Sequence, residues 1–156
     1  MQTTPVRRNL WTVWAMLLAS VLVYGAMPRL MPPPPDAAPP PESLLVAALT
    51  IVAFFEALAT LVIRRLVLVA PARAGTLDPR SAAGAGRVFT FSLICWVLSV
   101  SIAIYGLVLF VLFRVPGLLY PFVVAAIVLL LVHAPRALPA PEGASGDLAR
   151  PDLKIG

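Results

Sequence analysis

Four long stretches of the chain carry almost no charged residue. Each is long enough to cross about 30 Å of hydrocarbon as a helix that rises about 1.5 Å per residue. Unpaired backbone is too costly in lipid, and the stretches lack the polar alternation of barrel strands, so helices are predicted. The predicted transmembrane spans are residues 10–28, 43–69, 88–113 and 115–132.

The connections predict how the spans are arranged. Residues 113–117 form a turn so short that the third and fourth spans must run antiparallel. Residues 32–41 hold seven prolines, which predicts a stiff polyproline strap, and residues 70–87 hold the Pro and Gly breakers of a loop. We therefore expect an all-α polytopic membrane protein, with four transmembrane helices in a bundle of two hairpins. This single domain occupies residues 1–133, and a flexible cytoplasmic tail follows at 134–156.

Composition supports a membrane location and excludes other classes. Hydrophobic residues make up 60% of the 156 residues and charged residues only 12%. A soluble domain of this size has too little interior for such a surplus, and a disordered chain has the opposite composition. One cysteine excludes a disulfide scaffold.

Basic residues predict the orientation of the spans. Ten of the twelve lie near the N-terminus, around the central loop or in the tail, and only Arg29 and Arg114 lie in the other connections. Because positive segments stay inside, both termini and the central loop are predicted to be cytoplasmic. This topology accounts for the net charge of +5 without nucleic acid. Eleven Arg against one Lys suggest a GC-rich genome.

The first span could alternatively be a secretory signal. Arg7 and Arg8 precede it, and Ala26 could stand before a cleavage site. Tyr24, however, occupies a position where a small residue is wanted, and the apolar run is long for a signal. We therefore predict an uncleaved first helix.

Small or weakly polar residues recur along the third span at helical spacing. Such a stripe allows another helix backbone to approach closely, so it predicts a packing surface. Its members are Ser92, Cys95, Ser99, Ala103 and Gly106.

Glu56 is the one acidic residue within a predicted span. A buried charge would cost several kcal/mol there, so the carboxyl is expected to be protonated or hydrogen-bonded towards the bundle interior. Thr60, one turn away, and Ser99 on the packing stripe are the expected partners. These three residues form the candidate intramembrane polar site, which serves either as a structural contact or in ion handling.

No catalytic, cofactor-binding or metal site is predicted. His133 is the only histidine and Cys95 the only cysteine, which excludes His-based and Cys-rich metal sites and leaves Cys95 as a packing residue. His133 ends the fourth span, where a partial positive charge suits the helix dipole.

Two stretches share a pattern at an offset of 81 residues, SVLVYG at 20–25 and SIAIYG at 101–106. The pattern suggests either duplicated helical hairpins or a chance match. The longer run at 101–109, SIAIYGLVL, resembles the second helix of the rotary-ATPase ring subunit c. In that family an ion-carrying carboxylate precedes such a stretch, and the matching position here is Val100. With its His-Ala-Pro-Arg end at 133–136, the chain is also similar to small four-span bacterial membrane proteins of no established activity. Together with the excess of Arg over Lys, this resemblance implies the plasma (inner) membrane of a bacterium.

These observations predict a non-enzymatic integral membrane subunit or accessory protein that acts through helix packing and partner binding. Its expected partners are the lipid bilayer and either other membrane subunits or a second copy of itself, with no nucleic acid. The alternative is an ion-translocating protein, similar to the ring subunit, that uses Glu56.

Overall fold

The computed structural model describes residues 5–32, 34, 44–78 and 81–135, and all regular structure within them is helical. The predicted proline strap and the predicted tail lie largely outside these residues. Three helical stretches, Asn9–Leu30, Leu44–Arg73 and Ala82–Phe113, are long and apolar enough to cross a membrane, and a fourth apolar helix is shorter. The elements are α1 (Pro5–Leu30), α2 (Leu44–Ile63), a π-helical segment (Arg64–Val69), α3 (Ala70–Arg73), α4 (Ala82–Phe113) and α5 (Pro116–Val132).

The helix that contains α2 continues beyond the predicted end of the second span. A proline inside a helix lacks the N–H for its own bond, and its ring crowds the carbonyl four residues earlier. Before Pro71 the chain widens into π-helical turns, in which the Ala70 N–H reaches back to the Arg65 carbonyl. Helix therefore continues to Arg73, and the predicted loop at 70–87 is shorter than expected.

α4 begins six residues before the predicted third span. Ser81 is its N-cap, and the Ser81 hydroxyl accepts a hydrogen bond from the Gly84 N–H at 3.1 Å. Gly84 is buried against the preceding turn, where a Cβ atom would lie 1.9 Å from the Asp78 carbonyl oxygen. The absence of a side chain at Gly84 thus allows the turn to close onto the helix.

α4 and α5 form the most extensively packed pair. Arg114 ends α4 in the left-handed conformation, with a φ of 57°, and Pro116 is the first residue of α5. The two helices therefore run antiparallel, as the short turn predicts. Their contact contains the largest fully buried side chains, among them Trp96, Phe110, Leu119 and Leu130.

α1 and α2 lie on different sides of this pair. α1 packs against α4 and α5, whereas α2 packs against α4 and the π-helical segment. The predicted bundle of two hairpins is therefore wrong in its first half, because α1 and α2 do not pack along one another. Residues 31–43 separate the two helices, so their connection does not force them together as the turn at 114–115 forces α4 and α5.

Two apolar cores result from this arrangement. The main core joins α1, α2, α4 and α5. A smaller core beside the turn contains Leu68, Ala72 and Leu77, with Val88 and Phe91 packed against it. The second core ties the π-helical segment and α3 to the beginning of α4.

Candidate functional site

The carboxyl group of Glu56 lies between α2 and α4, where two hydroxyl groups meet it. The Ser101 hydroxyl lies 2.6 Å from Oε2 of Glu56, and the Tyr105 hydroxyl donates to Oε1 at 2.6 Å. Ser101 and Tyr105 are four residues apart on α4, so one helix face brings both to the same carboxyl. All three side chains are partly buried. We call these three residues the Glu56 site.

The partners expected for Glu56 from the sequence are not the ones observed. The Thr60 hydroxyl donates to the Ala57 carbonyl at 2.8 Å, and the Ser99 hydroxyl donates to the Cys95 carbonyl at 2.7 Å. Each buried hydroxyl thus donates to a backbone carbonyl of its own helix. The prediction of Thr60 and Ser99 as partners is therefore wrong, while Glu56 does contact a serine on α4.

Helix rotation decides between Ser99 and Ser101. Two residues along a helix are about 200° apart, so these hydroxyls point to nearly opposite sides of α4. The sequence places both at a depth near Glu56 but does not say which side of α4 faces α2. The four-residue spacing of Ser101 and Tyr105 is the signal that could have identified the pair, because both can then reach one acid.

The small-residue stripe of α4 is largely buried. Cys95, Ser99, Ala103 and Gly106 are buried, and Ser92 is partly buried. At Gly106 a Cβ atom would lie 2.6 Å from the Cβ of Phe122 and 3.0 Å from the Leu119 carbonyl oxygen, so this position touches α5. Cys95 instead faces α2, with its sulfur 3.7 Å from the Thr60 carbonyl oxygen. The stripe therefore contacts two different helices.

The glycines that end the two copies of the repeated pattern both lie against α5. Gly25, the last residue of SVLVYG, would place a Cβ 3.3 Å from a methyl group of Val123. Gly106, the last residue of SIAIYG, meets the adjacent Phe122. Both glycines thus let a helix approach α5 at the same level. The two serines of the pattern differ in their contacts. Ser101 contacts the acid Glu56, whereas the Ser20 hydroxyl donates to the Met16 carbonyl within α1.

A second polar cluster closes the carboxyl end of α5, and we call it the α5 cap. The last carbonyl groups of a helix lack partners within it. Here the Trp14 indole donates to the Leu130 carbonyl at 2.8 Å and the Trp96 indole to the His133 carbonyl at 2.8 Å. The Arg64 guanidinium donates to the Val132 carbonyl. Donors from α1, the π-helical segment and α4 therefore converge on α5.

His133 is part of this cap as a buried side chain. Its Nδ1 lies 2.6 Å from the Leu129 carbonyl oxygen, which can only accept, so Nδ1 carries the proton. Among the described residues, Nε2 has no hydrogen-bond partner. Burial holds the pKa of His133 below its usual value; the backbone of Leu129 and, more weakly, that of Thr60 oppose this effect, and the Arg64 charge adds to it. Arg64, rather than His133, therefore supplies the positive charge at this helix end.

Within the described residues, no group of three or more His, Cys, Asp or Glu side chains is placed to hold a metal ion. Comparison of the chain with protein-family models, curated proteins and solved structures finds no match. The function of the Glu56 site is therefore inferred from its own chemistry.

Proposed function

We propose that the chain crosses the membrane four times, with α5 as the fourth crossing. The α5 cap supports a common boundary, because tryptophan and arginine concentrate where hydrocarbon meets water. The boundary residues are Trp14, Arg64, Trp96 and His133. From this level to its other end, each helix has roughly 17 to 21 residues, or about 26 to 31 Å, which suits a bilayer.

On this proposal the smaller core, with Leu68, Ala72 and Leu77, lies on the cytoplasmic side of the cap. Both termini share that side, in the inner membrane of a bacterium. Reporter fusions at Ala74 and at the C-terminus are expected to report cytoplasm, and a fusion within residues 32–41 the outside. A C-terminus on the outer side would contradict the four crossings.

The function best supported is that of a non-enzymatic membrane subunit or accessory protein, which acts through its helix faces. The observation that carries this proposal is the exposure of α1 and α2. In an 18-residue apolar stretch of each of these helices only 11% is buried, against 50% in the corresponding stretch of α4. Met16 of α1 and Phe55 of α2 are 64% and 62% exposed. Such faces bind lipid, other membrane subunits or a second copy of the chain.

Photo-crosslinking in the native membrane tests this proposal. A photoreactive residue is introduced at Met16 or Phe55, with Val124 of α5, which is 58% exposed, as the matched control. We expect a protein adduct of defined mass from Met16 or Phe55 and lipid adducts only from Val124. Lipid adducts only at all three positions would contradict a subunit role.

Ion translocation is the second candidate function, and the Glu56 site favours it. Glu56 precedes Arg64 by eight residues, or about 12 Å along the helix. If the membrane boundary lies at Arg64, as proposed, the carboxyl of Glu56 lies within the hydrocarbon. An acid within the membrane is a candidate for ion handling by default. Proton flux into vesicles that contain the purified protein, lost in Glu56→Gln, would support this function over the first. Absence of flux would contradict it.

A further inference from the structure

We propose that three exposed arginines beyond the α5 cap bind the phosphate groups of anionic phospholipids. These residues, which we call the arginine patch, are Arg65 of the π-helical segment, Arg73 of α3 and Arg87 of α4. Their depth follows from the membrane boundary proposed above, so this inference rests on that proposed function. The patch lies apart from the Glu56 site and needs neither ion flux nor a protein partner.

The smaller apolar core brings α3 and the beginning of α4 together, and with them two of the arginines. Arg73 directly follows the core residue Ala72. Arg87 directly precedes Val88, which packs against the same core, and it lies only about 40° around α4 from Phe91, another residue of that contact. Both arginines are exposed. They therefore flank one core rather than pointing to unrelated sides of the fold.

Arginines outnumber acidic side chains at this end of the described residues. Only two described residues are acidic: Glu56, which contacts Ser101 between α2 and α4, and Asp78, on the turn before α4. Arg64 donates to the Val132 carbonyl and is not part of the patch. Three guanidinium groups thus stand against one carboxylate, and the amino end of α4 adds a partial positive charge. The patch therefore attracts anions.

The depth of the patch suits the headgroup region of a bilayer. Arg65 directly follows Arg64, which lies at the proposed boundary. Arg73 is nine residues beyond Arg64, and Arg87 is nine residues before Trp96 at the same boundary, so both lie about 12 to 14 Å outside the hydrocarbon along their helices. The headgroups occupy roughly 5 to 8 Å on each side, and long arginine side chains can extend back to them.

An exposed apolar side chain beside the patch favours a lipid over a soluble anion. Leu66 directly follows Arg65 and is 63% exposed. A phospholipid can cover Leu66 with its acyl chains while its phosphate pairs with the Arg65 guanidinium, whereas a free phosphate leaves the leucine in water. Cytoplasmic leaflets also carry the anionic lipids. The ligand is therefore a lipid headgroup.

Fluorescence quenching by brominated lipids tests the proposal with the full chain in vesicles. The three tryptophans, at positions 11, 14 and 96, lie towards the same side as the patch on the proposed boundary. Vesicles of phosphatidylcholine and phosphatidylglycerol, with one or the other brominated, give the relative affinity for the two lipids. We expect the wild type to prefer phosphatidylglycerol. Arg73→Gln combined with Arg87→Gln should reduce this preference about tenfold, because two of the three charges are lost.

Arg29→Gln combined with Arg114→Gln is the matched control, because it removes two positive charges from the opposite end of the helices. This variant should keep the wild-type preference. Equal affinity of the wild type for both lipids would overturn the proposal, and so would equal losses in the two variants. Displacement of phosphatidylglycerol by inorganic phosphate would also overturn it, because the ligand would then be a free anion.

Salt gives a second measurement that needs no variant. About 0.5 M NaCl should weaken the wild-type preference, because exposed charges are screened, and an unchanged preference would contradict the arginine patch. The reporter fusion at Ala74 separates this inference from the proposed topology. A cytoplasmic Ala74 without a lipid preference overturns the patch alone. An outer Ala74 overturns the topology, whereas the vesicle measurement still decides whether the patch binds the lipid.

Discussion

The two faces of α4 hold their neighbours by different means. Towards α5 the contact depends on close approach, since Gly106 leaves no room for a side chain beside Phe122 and Leu119. Towards α2 it includes hydrogen bonds from Ser101 and Tyr105 to one carboxyl. The first face is specified by shape and the second largely by polar groups.

This difference separates a structural contact from a chemical one. On the α5 side, the Trp96 indole donates to the His133 carbonyl, an acceptor that does not take up a proton near neutral pH. On the α2 side, the acceptor is a side-chain carboxyl that two hydroxyls of α4 reach. The same helix therefore makes one contact through a backbone carbonyl and another through an acidic side chain.

Substitution of Gly106 gives the largest expected effect and tests the shape-determined face. Gly106→Leu forces a side chain into Phe122 and the Leu119 carbonyl, and overpacking should lower the free energy of unfolding by about 3 kcal/mol. Unfolding in mixed detergent micelles measures the loss. Gly86→Leu is the matched control, because no atom lies within 4 Å of a Cβ at Gly86. Equal losses in the two variants would show that α5 does not depend on close approach at Gly106.

A double-mutant cycle tests the polar face and has an intermediate expected effect. Glu56→Ala and Tyr105→Phe each remove one side of the same hydrogen bond, so their effects on unfolding should not add. We expect a coupling free energy of about 1 kcal/mol, within the range measured for hydrogen bonds between membrane helices. Glu56→Ala combined with Tyr120→Phe, an exposed tyrosine of α5, should show no coupling. Zero coupling in both cycles would contradict a stabilising hydrogen bond between Tyr105 and Glu56.

The pH dependence of stability gives the smallest expected effect and concerns His133 in the α5 cap. Because the pKa of His133 lies below its usual value of 6.5 in the folded chain, the unfolded chain binds the proton more readily. The stability that His133 contributes is thus fully present above pH 6.5 and is lost as the pH falls through its folded-state value. Unfolding measured between pH 7 and 5 should show this decline in the wild type and a weaker one in His133→Asn. A wild-type chain that gains stability over this interval would contradict a neutral, buried His133.

The sequence alone determined that the chain is helical and where its apolar helices lie, although not the residues at which they end. An uncharged stretch long enough to cross a bilayer, such as residues 88–113, is predicted to be helical, because a helix pairs every backbone N–H and C=O group in lipid. The turn before Pro116 imposed the α4–α5 hairpin. The one acid within a span, Glu56, was also evident from its cost in hydrocarbon.

The tertiary structure decided which helices are neighbours and which side of each faces which partner. Residues 31–43 are long enough to let α1 and α2 separate, so chain order did not determine their packing. Rotation of α4 directed Ser101, rather than Ser99, to Glu56. Both serines are small and weakly polar and lie at similar depth, so composition and spacing cannot distinguish them. Packing against α5 at Gly106 fixes that rotation, and with it the partners of the acid.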